Sequence, residues 1–127
     1  MIFSAALPPY AVATVQASLD ILKSEPERRE RLWRNAQFLK EGIQSLGFNT
    51  GPCDSPVIPV IVGQMMDTFY FWKELLKAGV FANPVIPPAV PENTCRIRNS
   101  VMATHDEDLL SRALEVYKKV GKEVGLI

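Results

Sequence analysis

The sequence predicts an α+β fold, a small and mostly antiparallel sheet covered by helices. Apolar residues recur at helical spacing in four separate stretches. Short β-branched or alternating runs lie between them, set off by Gly and Pro clusters. Each amphipathic helix needs an apolar surface to cover, and a small sheet supplies it.

The elements follow in order. After Pro8 and Pro9, Tyr10 to Lys23 runs through Ala, Val and Leu without an internal breaker, so the prolines belong to the first turn of a helix. Its near lack of charge predicts burial. Ser24-Glu25-Pro26-Glu27 reads as a capping box that opens a second helix, with Ser24 accepting from the amide three residues on and Glu27 reaching back. Leu32, Ala36, Leu39, Ile43 and Leu46 form its apolar stripe, and Gly47 ends it. Gly51, Pro52 and Asp54 mark a loop. Pro56 to Val62 is then a β-branched strand whose prolines confine it to an edge or an irregular position.

Asp67 is expected to cap a third helix that turns Phe69, Trp72, Leu75 and Leu76 to the core and closes at Gly79. Val80 to Asn83 reads as a brief strand. Four prolines among residues 84–91 exclude a helix or a central strand, leaving a stiff extended loop. Over Arg96 to Val101 the period of two places Ile97 and Val101 on one face and Arg96, Arg98 and Ser100 on the other. Thr104-His105-Asp106-Glu107 reads as a second capping box. Leu110, Ala113, Leu114, Tyr117, Val120 and Val124 continue at helical spacing to the end.

Composition narrows the function classes. At 127 residues the chain suffices for one core, and 47% hydrophobic with 22% charged residues is ordinary for a globular domain. A formal net charge of +0 offers no field for a nucleic-acid backbone or an anionic membrane. The N-terminal residues lack the positive region of a signal peptide, and no run reaches the ~20 apolar residues of a membrane span. Cys53 and Cys95 have neither zinc-site spacing nor the density of a secreted scaffold, so two free thiols in a soluble, cytoplasmic protein are expected.

The residues alone assign no catalytic group and no metal site. There is no Ser-His-Asp set, ligand cluster or glycine-rich phosphate cradle. His105, the single histidine, suits a helix start. Arg98 stands out because a guanidinium on a strand can grip a carboxylate through two parallel hydrogen bonds. A surface salt bridge is the alternative use of the same residue. Ser4 and Ser100 are isolated hydroxyls. Trp33, Phe38, Phe69, Phe71 and Trp72 fall in predicted helices as core or interface residues.

Taken together, several ordered motifs resemble a known family: Phe3-Ser4-Ala5-Ala6-Leu7-Pro8-Pro9, Pro26-Glu27-Arg28-Arg29, Gly79 to Val85, Pro87-Pro88-Ala89-Val90-Pro91, and Arg96-Ile97-Arg98 through Ala103-Thr104-His105. Across nearly the whole chain they resemble the C-terminal small domain of the α-oxoamine synthases. This branch of the fold-type I pyridoxal-phosphate (PLP) enzymes includes 8-amino-7-oxononanoate synthase, 2-amino-3-ketobutyrate CoA ligase and serine palmitoyltransferase.

The resemblance implies a parent that condenses an amino acid with an acyl-CoA on PLP. It implies that Arg98 holds the substrate carboxylate, that the Pro87, Pro88, Ala89, Val90 and Pro91 loop lines the substrate channel, and that Ser4 reaches the cofactor phosphate of a neighbouring subunit. Residues 1–24 become a linking helix segment and 25–127 the small domain. The family's Schiff-base lysine lies upstream, so no covalently held cofactor is expected here. The chain is then a fragment that is not catalytic alone, and with the large domain absent Tyr10 to Lys23 would leave an apolar patch exposed, which predicts a homo-oligomer. The competing expectation is a non-enzymatic α+β interaction or self-association domain.

Overall fold

The computed structural model describes residues 6–127. The elements are α1 (Pro9–Ser24), α2 (Pro26–Ser45), β1 (Val57–Gly63), α3 (Met65–Lys77), β2 (Asn83–Val85), β3 (Cys95–Ser100) and α4 (Glu107–Glu123). The strands form one antiparallel sheet in the order β1-β3-β2. An α+β sandwich, with helices over a small sheet, is what the periodicities predicted.

Position in the sheet follows composition. β1 and β2, which carry Pro59 and Pro84, are the edges, and β3 lies between them. A missing N–H is tolerated at an edge and costs a ladder bond in the centre. A register irregularity between Ile61 and Gly63 ends the pairing of β1.

The pleat sorts β3. Cys95, Ile97 and Asn99 are buried, whereas Arg98 and Ser100 are exposed. Ile97 is flanked by Val60 and Pro84, so the helices α2, α3 and α4 cover this face.

Beneath the helices, Ile43, Val60, Phe71, Leu75 and Ile97 are fully buried. Phe48, Phe71 and Tyr117 form a three-ring cluster with centroids 5.7 to 5.9 Å apart, inside the range of favourable aromatic pairs. Gly42 lets α2 approach α4, and Gly121 lets α4 approach Phe48 in the segment after α2. A Cβ at Gly42 would run into Leu114 Cδ1, and one at Gly121 into Phe48 Cζ. No helix among the described residues is long and apolar enough to cross a membrane.

Several local expectations are corrected. No residue of α1 is buried, because among the described residues it packs only against α2. Val12, Val15, Leu19 and Leu22 are exposed. The capping box at Ser24 does not form. Ser24 is the last residue of α1, and its Oγ donates back to the Asp20 carbonyl at 2.9 Å. Glu25 precedes α2 instead and pairs with Arg28 at 2.6 Å.

α3 starts earlier than predicted, with Gln64 as its N-cap residue. Asp67 therefore sits in the first turn, where its charge suits the helix dipole. The buried stripe of α3 is Thr68, Phe71 and Leu75, with Leu76 left 42% exposed. Large apolar residues surround this helix, so two stripes of equal spacing compete. Thr68 can enter the core because its hydroxyl donates to the Gln64 carbonyl at 2.7 Å.

β2 begins at Asn83 rather than ending there, since its partners in β3 are Arg98, Ile97 and Arg96. The proline-rich loop thus starts after Val85. Asp106, not Thr104, caps α4, accepting from the Leu109 amide at 2.7 Å. His105 lies in the preceding turn, where Nδ1 accepts from the Met102 amide at 3.4 Å. Asn35, buried on α2, donates to the carbonyls of Met102 and His105 at 3.1 and 2.7 Å and so fixes that turn.

Candidate functional site

The face of the sheet that the helices leave uncovered is built by alternation. If Ile97 and Asn99 point to the core, Arg96, Arg98 and Ser100 must point away. The register adds the neighbours. Arg98 stands between Pro59 of β1 and Asn83 of β2, Arg96 between Ile61 and Val85, and Ser100 beside Val57. The result is a partly apolar surface with two guanidinium groups on its central strand.

The two arginines differ in what they do. Arg96 Nε donates to the Thr94 carbonyl at 3.0 Å, so it braces the entry to β3. Arg98 is exposed and forms no ion pair among the described residues. Its planar fork of donors is available to a planar acceptor such as a carboxylate. Lys77 is paired with Glu74 at 2.7 Å, and this contact raises its pKa above the usual value.

Residues 86–94 close the hairpin between β2 and β3 at its Arg96 end, so Arg98 lies two residues further along the same face. Pro87, Ala89 and Pro91 belong to this loop, which holds itself by turns: the Ala89 amide donates to the Ile86 carbonyl at 3.0 Å and Thr94 Oγ1 to the Pro91 carbonyl at 2.7 Å. The Pro87–Pro88 bond is cis. Both shoulders are tied to α3. Trp72 Nε1 donates to the Ala82 carbonyl at 2.9 Å, and Gln64 Nε2 to Asn93 Oδ1 at 2.8 Å. Pro88 and Ala89 are exposed at the tip, and Val90 is partly covered.

The structure therefore brings Arg98 and the proline-rich loop onto one hairpin. Ser4 lies outside the described residues. Sequence reading did not single out Asn83, because only the register of β2 against β3 shows that it shares the face of Arg98. As to PLP, the open face of the sheet (Val57, Pro59, Ile61, Asn83, Val85, Arg96, Arg98 and Ser100) includes no lysine. Lys40 Nζ is engaged elsewhere, donating to the Cys53 carbonyl at 2.6 Å. These residues do not fit a covalent PLP site; what the face offers is the paired donors of the Arg98 guanidinium.

Known proteins resemble this chain along nearly its whole length. The family model for aminotransferase class I and II matches residues 1–116. The chain is 40% identical over 127 residues to an 8-amino-7-oxononanoate synthase from Alkaliphilus oremlandii, covering 100% of this chain and 32% of that protein. It is 42% identical over 120 residues to a serine palmitoyltransferase from Bacteriovorax stolpii, covering 94% of this chain and 29% of that one. Among solved structures, a serine palmitoyltransferase from S. paucimobilis with a bound PLP–myriocin aldimine matches with a TM-score of 0.92 and 36% identity. That match covers 98% of this chain and 32% of the other. The chain spans about a third of the length of the curated relatives it matches. Both relatives carry names from the α-oxoamine synthase branch that the motifs resemble, and the chain belongs to the aminotransferase class I and II family.

Proposed function

We propose that this chain is the substrate-binding small domain of a PLP-dependent enzyme that joins an amino acid to an acyl-CoA, and that it is not catalytic alone. The observation that carries the reading is Arg98, exposed on the uncovered face of the sheet and without an ion pair among the described residues. A strand held from behind by a packed core is a rigid mount, and rigid mounting is what lets a guanidinium fix both the position and the plane of a carboxylate. PLP, when bound in the parent, supplies an electron sink for the substrate carbanion. This chain's contribution is orientation by Arg98, with the loop at residues 87–91 shaping the approach and Ser4 reaching a neighbouring subunit's cofactor phosphate.

A hybrid enzyme tests this. Residues 1–127 replace the matching third of the Alkaliphilus oremlandii 8-amino-7-oxononanoate synthase, and product formation is followed. Arg98→Ala is expected to raise KM for the amino acid about 10- to 100-fold, the worth of a charged hydrogen bond, while KM for the acyl-CoA stays the same. Equal kinetics for the two hybrids would remove Arg98 from the site. The isolated chain, mixed with PLP and reduced with borohydride, is expected to gain no site-specific covalent label; a single labelled lysine would overturn the fragment reading.

A second reading, an α+β interaction or self-association module, draws on an observation that the first also accommodates. The apolar side chains of α1 are exposed along its length, and such a surface promotes association. Sedimentation of the chain and of a Val15→Asp, Leu19→Asp variant separates the cases. Self-association lost in the variant supports a role for α1, and a monomer in both removes the homo-oligomer.

A further inference from the structure

We infer that Asn83 completes the carboxylate site with Arg98, its side-chain amide donating from β2 while the guanidinium fork grips from β3. The inference rests on the reading of Arg98 given above and names the second ligand of that site.

The register puts Asn83 directly opposite Arg98. Directly opposed residues of an antiparallel pair have Cβ atoms about 4.5–5.5 Å apart on one face of the sheet. Both side chains are exposed. Of the other polar side chains of β3, Arg96 is engaged by the Thr94 carbonyl and Asn99 by Tyr117 and the Ile58 carbonyl, while Ser100 stands two residues along the same strand and not across from Arg98. On its other flank Arg98 faces Pro59, which has no polar side chain. A cross-strand donor beside Arg98 can therefore come only from the β2 side, where Asn83 stands.

The chemistry of the ligand leaves room for such a donor. An ionised carboxylate has two oxygens and about four acceptor sites, of which a guanidinium fork uses two. A neutral amide fills a third without adding charge. An aspartate in its place would pair with Arg98 and repel the ligand. With the fork fixing the carboxylate plane and the amide approaching from one side, the two carboxylate oxygens become inequivalent. β2 runs at Val85 straight into the proline-rich loop, so the loop's position bears on Asn83 and leaves Arg98, on the central strand, in place.

The test uses the 127-residue chain, labelled with 15N and titrated with acetate while the Arg98 Nε–Hε resonance is followed. Saturable movement of that resonance is expected in the unsubstituted chain. Asn83→Ala and the nearly isosteric Asn83→Leu are each expected to weaken it about 2- to 10-fold, the range of one neutral hydrogen bond. Asn83→Asp is expected to abolish it. Identical titration curves for the unsubstituted, Ala and Leu chains would overturn the role of Asn83 while leaving Arg98 as a carboxylate ligand. An Arg98 resonance that does not respond in the unsubstituted chain would remove both.

Discussion

The Tyr117 hydroxyl donates to Asn99 Oδ1 at 2.6 Å, and Asn99 Nδ2 donates in turn to the Ile58 carbonyl at 3.0 Å. One side chain thus joins α4, β3 and β1 within the core, on the residue next to Arg98. Tyr117→Phe leaves the Asn99 oxygen buried without its donor. A loss of about 1–3 kcal/mol is expected, measured as a lower urea midpoint at an unchanged m-value.

The same contact sets a pH dependence. Burial pushes the Tyr117 phenol well above the usual tyrosine range, outweighing its hydrogen bond to Asn99, which acts the other way. A pKa raised on folding means that the neutral form stabilises the native state below the unfolded value of about 10 and that this contribution declines as pH rises beyond it. Unfolding midpoints are expected to fall above about pH 10 in the unsubstituted chain. In Tyr117→Phe that component of the fall should be absent.

Gly121 and Gly42 should not tolerate alanine equally. At Gly42 the obstacle is the end of the partly buried Leu114 side chain, which can turn aside; at Gly121 it is Phe48, locked in the three-ring cluster. Gly121→Ala is expected to cost about 1–3 kcal/mol. Gly42→Ala should be closer to neutral, since the helix-propensity gain of about 1 kcal/mol offsets a smaller strain. Thermal melts of the two variants decide it.

α1 contributes contact but no buried side chain. A chain that begins at Glu25 is expected to unfold cooperatively within about 0.5 kcal/mol of the longer one, as for changes at ordinary surface positions. A large loss in denaturant titration would mean that α1 belongs to the folding unit.

Arg98 should matter for ligands and not for folding. It is exposed and lacks an ion pair among the described residues, so Arg98→Ala is expected to shift stability by no more than about 0.5 kcal/mol. A calorimetric melt checks this independently of any activity.

What could be read in the sequence followed from periodicity. The stripe Ala36, Leu39 and Ile43 and the alternation of Ile97 against Arg98 depend on spacing alone, and both hold in the structure. Helix starts were harder. A Ser, Thr or Asp near a helix start caps only if the chain turns there, and at Ser24 the preceding helix had not yet ended. The stripe of α3 was ambiguous because its sequence is apolar nearly all round. Arg98 could be picked out by residue type and strand position, whereas Asn83 could not, since its neighbour across the sheet is fixed by pairing and no local pattern encodes register.

The hairpin that carries Arg98 separates insertions of two kinds. Residues can be added to or removed from the loop between Val85 and Cys95 without changing which side of the sheet Arg98 points to, because its direction is set by pairing on both flanks. A single residue inserted within β3 would instead exchange Arg98 with Asn99 and place a guanidinium in the core. Changes of length in that segment are thus expected to be tolerated, and the direction of Arg98 is insulated from them.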